Sequence, residues 1–178
     1  MLSAMLVNMP AKTLASGILC VILQAALAVG MSAAAADTLQ LRTPSHDPIN
    51  LTAADLKALP HITVTIRNSH TDADETYAGV RLADLFMKMK LGAPLGSELR
   101  GKALSGYIVA TGSDGYRAVL ALAEIDPSFH PGEVLVADLM NGKPLDEHSG
   151  PFKLVVTEDK RPARSVRNLV SLELKMAD

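Results

Sequence analysis

Four basic residues crowd one short stretch near the C-terminus of this chain: Lys160, Arg161, Arg164 and Arg167. An arginine side chain can donate two parallel hydrogen bonds to a phosphate or a carboxylate, so closely spaced arginines suit an anion-binding loop. Two acidic residues immediately precede the run, and a run of charges is more often a solvated loop whose members pair with each other. The residues therefore leave two interpretations open. Arg161, Arg164 and Arg167 form an anion site, or they belong to a self-paired surface loop.

A second candidate is the turn Asp114, Gly115 and Tyr116. Asp-Gly pairs favour tight turns because the aspartate bonds to nearby backbone and the glycine accepts a left-handed conformation. Such a turn would deliver Tyr116 to the start of a strand with its hydroxyl free for a ligand. The alternative is an ordinary turn followed by a half-buried tyrosine, and the pair alone does not exclude it.

A third candidate is the polar stretch that contains His70, Asp72, Asp74 and Glu75. It could hold a cation, but it lacks the sixth-position glycine and the distal glutamate of an EF-hand, and an acidic solvated loop is the usual outcome. The five histidines show no HExxH spacing that would indicate zinc. No GxSxG, GxGxxG or P-loop motif occurs, which argues against a serine hydrolase elbow and a nucleotide site.

The only cysteine, Cys20, lies in an apolar leader. Lys12 is followed by an uncharged run and by the small residues Ala34, Ala35 and Ala36 before Asp37, the pattern of a secretory signal peptide. We predict that residues 1–36 are a cleaved signal peptide and that 37–178 form the exported domain, periplasmic or secreted and free of thiols. The alternative is a retained transmembrane anchor, because the run approaches the ~20 residues that span a bilayer. A lipid anchor is disfavoured because Leu19, which is not small, precedes the cysteine.

Removing 36 residues from the 178 leaves 142, enough for one domain with its own core. Without Lys12 the chain has 16 basic residues against 19 acidic ones. A nucleic-acid partner is therefore not expected, since it would require a basic face.

The pattern of apolar residues predicts the elements that position these candidates. The alternation of HITVTIR predicts a strand over residues 61–67, and a shorter strand is expected over 39–42, followed by a loop over 44–48. Thr52 and Asp55 predict a capping box for a short helix that Pro60 ends. The segment 68–79 is expected to be a polar loop. Helical spacing follows over residues 82–89, with Gly92 as the residue after its C-cap.

Further strands are predicted over 103–110, 116–121, 134–140, 152–157 and 169–174, with Asn141 and Gly142 as a hairpin turn. Glu124 and Asp126 are expected at an exposed helix end. About seven strands and two or three short helices, without regular βαβ alternation, indicate an α+β domain with a mixed, largely antiparallel sheet.

The C-terminal half resembles a known family. Three segments in order, GYIVATGSDGYRAVLALAEI, VLVADLMNGKPL and GPFKLVVTEDKRPARSVRNLVSLEL, are similar to the molybdopterin-binding domain of sulfite oxidase-like oxidoreductases, and the upstream YAGVRL fits the family's aromatic-x-Gly-Val-x-Leu segment. The resemblance implies that fold, with Arg161, Arg164 and Arg167 contacting the anionic tail of a pterin.

The resemblance also places a molybdenum-ligating cysteine just after the strand over 61–67, where this chain has Asn68, Ser69 and His70. A thiolate-held metal cannot be rebuilt with such side chains without changing its electronics. We therefore expect a non-catalytic module that binds a small anionic or pterin-like ligand, or a periplasmic or membrane protein, with Asn68, His70, Asp114 and Tyr116 beside the arginines. The alternative is an active oxidoreductase that holds molybdopterin non-covalently and works with a membrane or cytochrome partner.

Overall fold

The computed structural model describes residues 38–68 and 71–177. The predicted leader and His70 lie outside the described residues. In chain order the strands are β1 (Thr38–Thr43), β2 (His46–Thr52), β3 (Ile62–Asn68), β4 (Ala73–Arg81), β5 (Gly106–Gly112), β6 (Arg117–Ala121), β7 (Val134–Met140), β8 (Lys143–Pro144), β9 (Lys153–Val156) and β10 (Leu169–Met176). The α-helices are α1 (Ala53–Lys57), α2 (Leu82–Lys88) and α3 (Leu122–Ile125).

The strands form two five-stranded sheets. The first has the order β2-β1-β10-β5-β6. The second has the order β3-β4-β7-β8, and β9 also pairs with β7, along residues 134–137, whereas β8 pairs with it along residues 139–140. Neighbouring strands are antiparallel except for β1 and β10, which pair in parallel. The predicted α+β class with a mixed, largely antiparallel arrangement is confirmed.

Strand β7 is buried on both faces and separates two apolar clusters. Val134 and Val136 belong to the main core, with buried side chains of the first sheet and of α2. Leu135 and Ala137 point to the other face, where they form a smaller cluster with Tyr77 and Val155. Tyr77 also lines a cleft above this second face.

Several local predictions are confirmed. Thr52 accepts a hydrogen bond from the Asp55 amide and the Asp55 carboxylate accepts one from the Thr52 amide, which completes the capping box of α1. Asn141 and Gly142 both have positive φ, at 51° and 75°, as a type I′ hairpin requires. Helix α2 forms where helical spacing placed it. However, the residue directly after its C-cap is Lys90, with φ of 52°, and Gly92, which also has a positive φ, lies two residues further on.

Two predicted loops are wrong. Residues 46–48 belong to β2, an edge strand in which Pro48 is tolerated because an edge strand leaves backbone N–H groups unpaired. The stretch from Ala73 onward is strand β4, paired with β3. The acidic residues of this stretch indicated a loop from sequence alone. They are compatible with a hairpin because Arg67 of β3 donates to Asp72 and Asp74 at 3.1 Å each and neutralises their charge.

The prediction that Glu124 and Asp126 lie at an exposed helix end is wrong for Asp126. Asp126 is only 2% exposed and its carboxylate accepts from the Gly96 amide and from Ser128. Its role is to hold the loop before β5 against α3, so this polar residue belongs to the interior of the fold.

Candidate functional site

A cleft of about 960 Å³ opens beside the second sheet. Its floor comes from β3, β4, β7 and β9, and its walls come from the β5–β6 turn, the loop after β8 and the basic loop between β9 and β10. The lining residues are Ile66, Arg67, Asn68, Glu75, Tyr77, Asp114, Tyr116, Met140, Asp146, Ser149, Lys153, Lys160, Arg161, Pro162, Ala163, Ser165 and Arg167. Five of the seven residues predicted from the sequence therefore lie in one cleft.

The basic loop presents Lys160, Arg161 and Arg167 to this cleft. All three side chains are exposed, and within residues 38–68 and 71–177 none of them has a hydrogen-bond or ion-pair partner. Arg67, by contrast, is occupied by Asp72 and Asp74. The loop thus brings three uncommitted cations to one wall of the cleft.

Arg164 behaves differently from its neighbours, because it does not line the cleft. Its Nε and Nη2 donate to the two carboxylate oxygens of Asp159 at 2.9 and 2.6 Å, and its Nη1 donates to Glu124 Oε1 at 2.7 Å. These two carboxylates raise the pKa of the guanidinium above its ordinary value. The anion contact expected of Arg164 is therefore supplied within the protein, and the residue anchors the loop to α3.

The β5–β6 turn also contacts the basic loop. Asp114 Oδ1 accepts from the Tyr116 amide at 2.9 Å, the local bond that shapes the turn. The Tyr116 hydroxyl, expected to be free for a ligand, donates to the carbonyl oxygen of Ala163 at 2.5 Å. Tyr116 is 48% exposed and lines the cleft. Its hydroxyl is bonded to the basic loop and not free.

A chain of hydrogen bonds crosses the floor of the cleft. Asn68 Nδ2 donates to Glu75 Oε1 at 2.7 Å, Tyr77 Oη donates to Glu75 Oε2 at 2.7 Å, and Lys153 Nζ donates to Tyr77 Oη at 2.5 Å. The Lys153 amine also lies 4.3 Å from the centre of the Tyr77 ring, within cation–π range. The β3–β4 hairpin thus supplies three of these polar side chains, and β9 brings Lys153 to them from 76 positions beyond Tyr77.

This network shifts the pKa of each titratable member. Burial raises the pKa of Tyr77, and its bond to Glu75 adds to the effect, so the phenol stays protonated. Burial opposes ionisation of Glu75, but the bonds from Asn68 and Tyr77 outweigh it and lower the pKa of that carboxyl. Burial lowers the pKa of Lys153; nearby Glu75 and Asp146 oppose that change, whereas Arg167 adds to it.

Sequence reasoning missed Glu75, Tyr77 and Lys153 as members of the site. One signal was present for Lys153, because a lysine beginning the apolar run KLVV is unusual in a strand that is otherwise buried. The cation site suggested by His70, Asp72, Asp74 and Glu75 gains no support. The two aspartates bind Arg67, Glu75 points into the network, and the described residues contain no cluster of metal-ligating side chains.

In the described part of the chain, no helix is long and apolar enough to cross a membrane.

Comparison with known proteins gives matches to a family model and to solved structures. A family model for the oxidoreductase molybdopterin binding domain matches residues 27–178. The sulfane dehydrogenase SoxCD from Paracoccus pantotrophus is similar in structure, with a TM-score of 0.58 and 20% sequence identity over 78% of this chain and 38% of that chain. At this identity the likeness shows a shared fold, and the chain spans well under half of the SoxCD chain. No curated protein sequence matches.

The family match includes all ten strands and the whole lining of the cleft. It agrees with the sulfite oxidase-like resemblance seen in the three C-terminal segments. The chain belongs to the family of oxidoreductase molybdopterin-binding domains.

Proposed function

We propose that this chain is a non-catalytic member of its family that binds a small anionic ligand in the cleft. The observation that carries the proposal is the set of uncommitted cations on the basic loop, Lys160, Arg161 and Arg167. An arginine that already donates to carboxylates of the protein, as Arg164 does, has few hydrogen-bond donors left for a ligand. Arg161 and Arg167 retain their full set of donors, which suits bidentate binding of a phosphate or carboxylate.

The residues of the cleft fit the anionic tail of the family's pterin cofactor, but they do not fit its molybdenum. The anionic tail of a pterin suits the basic loop. A thiolate-held molybdenum does not suit the floor, because the described residues contain no cysteine and β3 ends at Asn68, whose amide is bonded to Glu75. The Lys153 amine on the same floor further disfavours a metal cation. We therefore derive no redox step for this chain.

Titration with inorganic phosphate tests the anion site. A ligand at 100 times its Kd stabilises the folded state by about 2.7 kcal/mol, so thermal unfolding should move to higher temperature as phosphate is added. The double variant Arg161→Gln/Arg167→Gln should lose this response. Arg100→Gln, which removes an exposed arginine outside the cleft, is the matched control and should keep it. An equal response in all three proteins would overturn the proposal.

A second candidate is an oxidoreductase that holds molybdopterin non-covalently and passes electrons to a membrane or cytochrome partner. The family match favours it, because the matched model describes an oxidoreductase domain. Its signature would be an absorbance spectrum of bound pterin and stoichiometric molybdenum in the purified protein.

Export and a partner protein complete the proposal. The pattern of residues 1–36 supports a signal peptide, which would place the domain in the periplasm or outside the cell. A ligand-binding module there would act through a periplasmic or membrane partner. Determining the N-terminal residue of protein recovered from the periplasm tests the first point, with Asp37 or its immediate neighbour expected.

A further inference from the structure

We propose that Lys153 is a nucleophilic amine that captures the carbonyl group of a small 2-oxo carboxylate as an imine. The inference rests on the proposed function for the anionic half of the ligand and adds a chemical group beside it. It gives the floor of the cleft a reaction that needs no metal.

The environment of Lys153 sets it apart from the other cations of the cleft. It is the first residue of β9, it is partly buried, and no carboxylate among the described residues lies within ion-pair distance of its amine. The hydrogen bond from Nζ goes to the neutral hydroxyl of Tyr77, whose own proton is directed at Glu75. Burial penalises the charge of this ammonium, and the nearby carboxylates of Glu75 and Asp146, which form no ion pair with it, offset only part of that penalty.

The position of this amine suits attack on a bound ligand. Lys153, Arg161 and Arg167 line the same cleft, so a carboxylate held by an arginine fork would bring its neighbouring carbonyl group into the space above the floor. Burial and the charge of Arg167 both lower the pKa of Lys153, which increases the neutral fraction able to react. Lysines desolvated in this way are the ones that form imines with carbonyl substrates in other proteins.

The reaction balances without an oxidant or a reductant. The lone pair of neutral Nζ attacks the carbonyl carbon, a C–N bond forms, and the π electrons of the C=O bond move to the oxygen. Both protons of the nitrogen are then transferred through solvent to that oxygen, which leaves as water, and a C=N bond remains. The ligand is held covalently and reversibly.

Borohydride trapping with glyoxylate tests the inference on the full chain. Hydride from added sodium borohydride converts an imine to a stable secondary amine, which adds the mass of a carboxymethyl group to the modified lysine. We expect peptide mass analysis to find this group on Lys153 in clear excess over Lys160, an exposed lysine of the same cleft. Lys153→Arg, which keeps the positive charge, should abolish the adduct at that position.

Acetaldehyde provides the comparison without a carboxylate. If both proposals hold, glyoxylate labels Lys153 at much lower concentration than acetaldehyde does, and Arg161→Gln/Arg167→Gln removes the difference. If only the anion site fails, the two aldehydes label Lys153 equally. If phosphate binds but Lys153 is unlabelled, or is labelled no more than Lys160, the imine inference is overturned. Because the labelling pattern is read in the unmodified sequence, the test does not depend on the variant folding.

Discussion

Arg164 donates to Oε1 of Glu124 at 2.7 Å, and this bond joins the basic loop between β9 and β10 to helix α3. The same guanidinium also donates two hydrogen bonds to the carboxylate of Asp159 within the loop. Tyr116 adds a third attachment through Ala163. The loop that carries Arg161 and Arg167 is thus fastened by Arg164 from outside the cleft and by Tyr116 from the cleft wall.

Replacing Arg164 should therefore weaken anion binding indirectly. In Arg164→Gln we expect a stability loss of about 1 kcal/mol, the scale of a partly exposed ion pair with good geometry. Phosphate affinity should fall because Arg161 and Arg167 lose their fixed position. A double-mutant cycle with Glu124→Gln, measured by denaturant unfolding, should show the two substitutions to be non-additive. Additive effects would mean that the bond contributes nothing to loop position.

The Glu75 carboxylate should make the free energy of unfolding depend on pH in the acidic range. Its pKa in the folded protein lies below the ordinary value of 4.5, so its stabilising contribution is complete above that pH and is lost as the pH falls through the folded value. We expect Glu75→Gln to cost about 1.5 kcal/mol at neutral pH, since it weakens bonds from Asn68 and Tyr77. The difference from wild type should shrink in urea unfolding measured at about pH 3. A difference independent of pH would contradict the assignment.

Asp126 should be among the most sensitive polar residues of the fold. Asp126→Ala removes a carboxylate, only 2% exposed, that accepts partly buried hydrogen bonds from the Gly96 and Ser128 amides, and losing these two bonds to a charged acceptor should cost about 2–3 kcal/mol. Asp47→Ala, at an exposed position of β2, is the control and should change stability by less than about 0.5 kcal/mol. Equal losses in both variants, by chemical denaturation, would show that Asp126 does not anchor the loop.

Gly79 marks a close approach of two strands. It sits at the irregularity in the β4–β7 ladder, and a Cβ there would overlap the carbonyl oxygen of Val136. Gly79→Ala should therefore cost about 3 kcal/mol through a forced backbone shift. Gly142→Ala has open space around it and meets only the strain of φ 75°, about 1–2 kcal/mol. A ranking in the opposite order would contradict the steric account.

Local signals predicted local structure well. The β-branched alternation of residues 61–67, the Thr52–Asp55 box and the Asn141–Gly142 turn each involve residues close in sequence, and each formed as expected. The start of β4 was missed because the partner that neutralises Asp74, Arg67, lies on the neighbouring strand.

The site was predictable only in part for the same reason. Arg161 and Arg167 could be identified from the sequence because they lie in one short basic segment, and clustered arginines are recognisable as candidate anion-binding residues. The network of Asn68, Glu75, Tyr77 and Lys153 depends on the register between β3 and β4 and on β9 reaching the same floor, which no local pattern specifies. Arg164 resembles its neighbours in sequence, and only the tertiary structure distinguishes this loop anchor from the arginines that line the cleft.

The molybdenum content of the purified protein tests the central claim most directly. The chain should be produced in molybdenum-replete cells able to make the cofactor, recovered with its export route intact, and analysed for metal per polypeptide. Because the described cleft offers cations and an amide where a thiolate would be needed, the account predicts far less than one molybdenum per chain, in protein that still binds phosphate. One molybdenum per chain, retained through purification and lost in Arg161→Gln/Arg167→Gln, would contradict it.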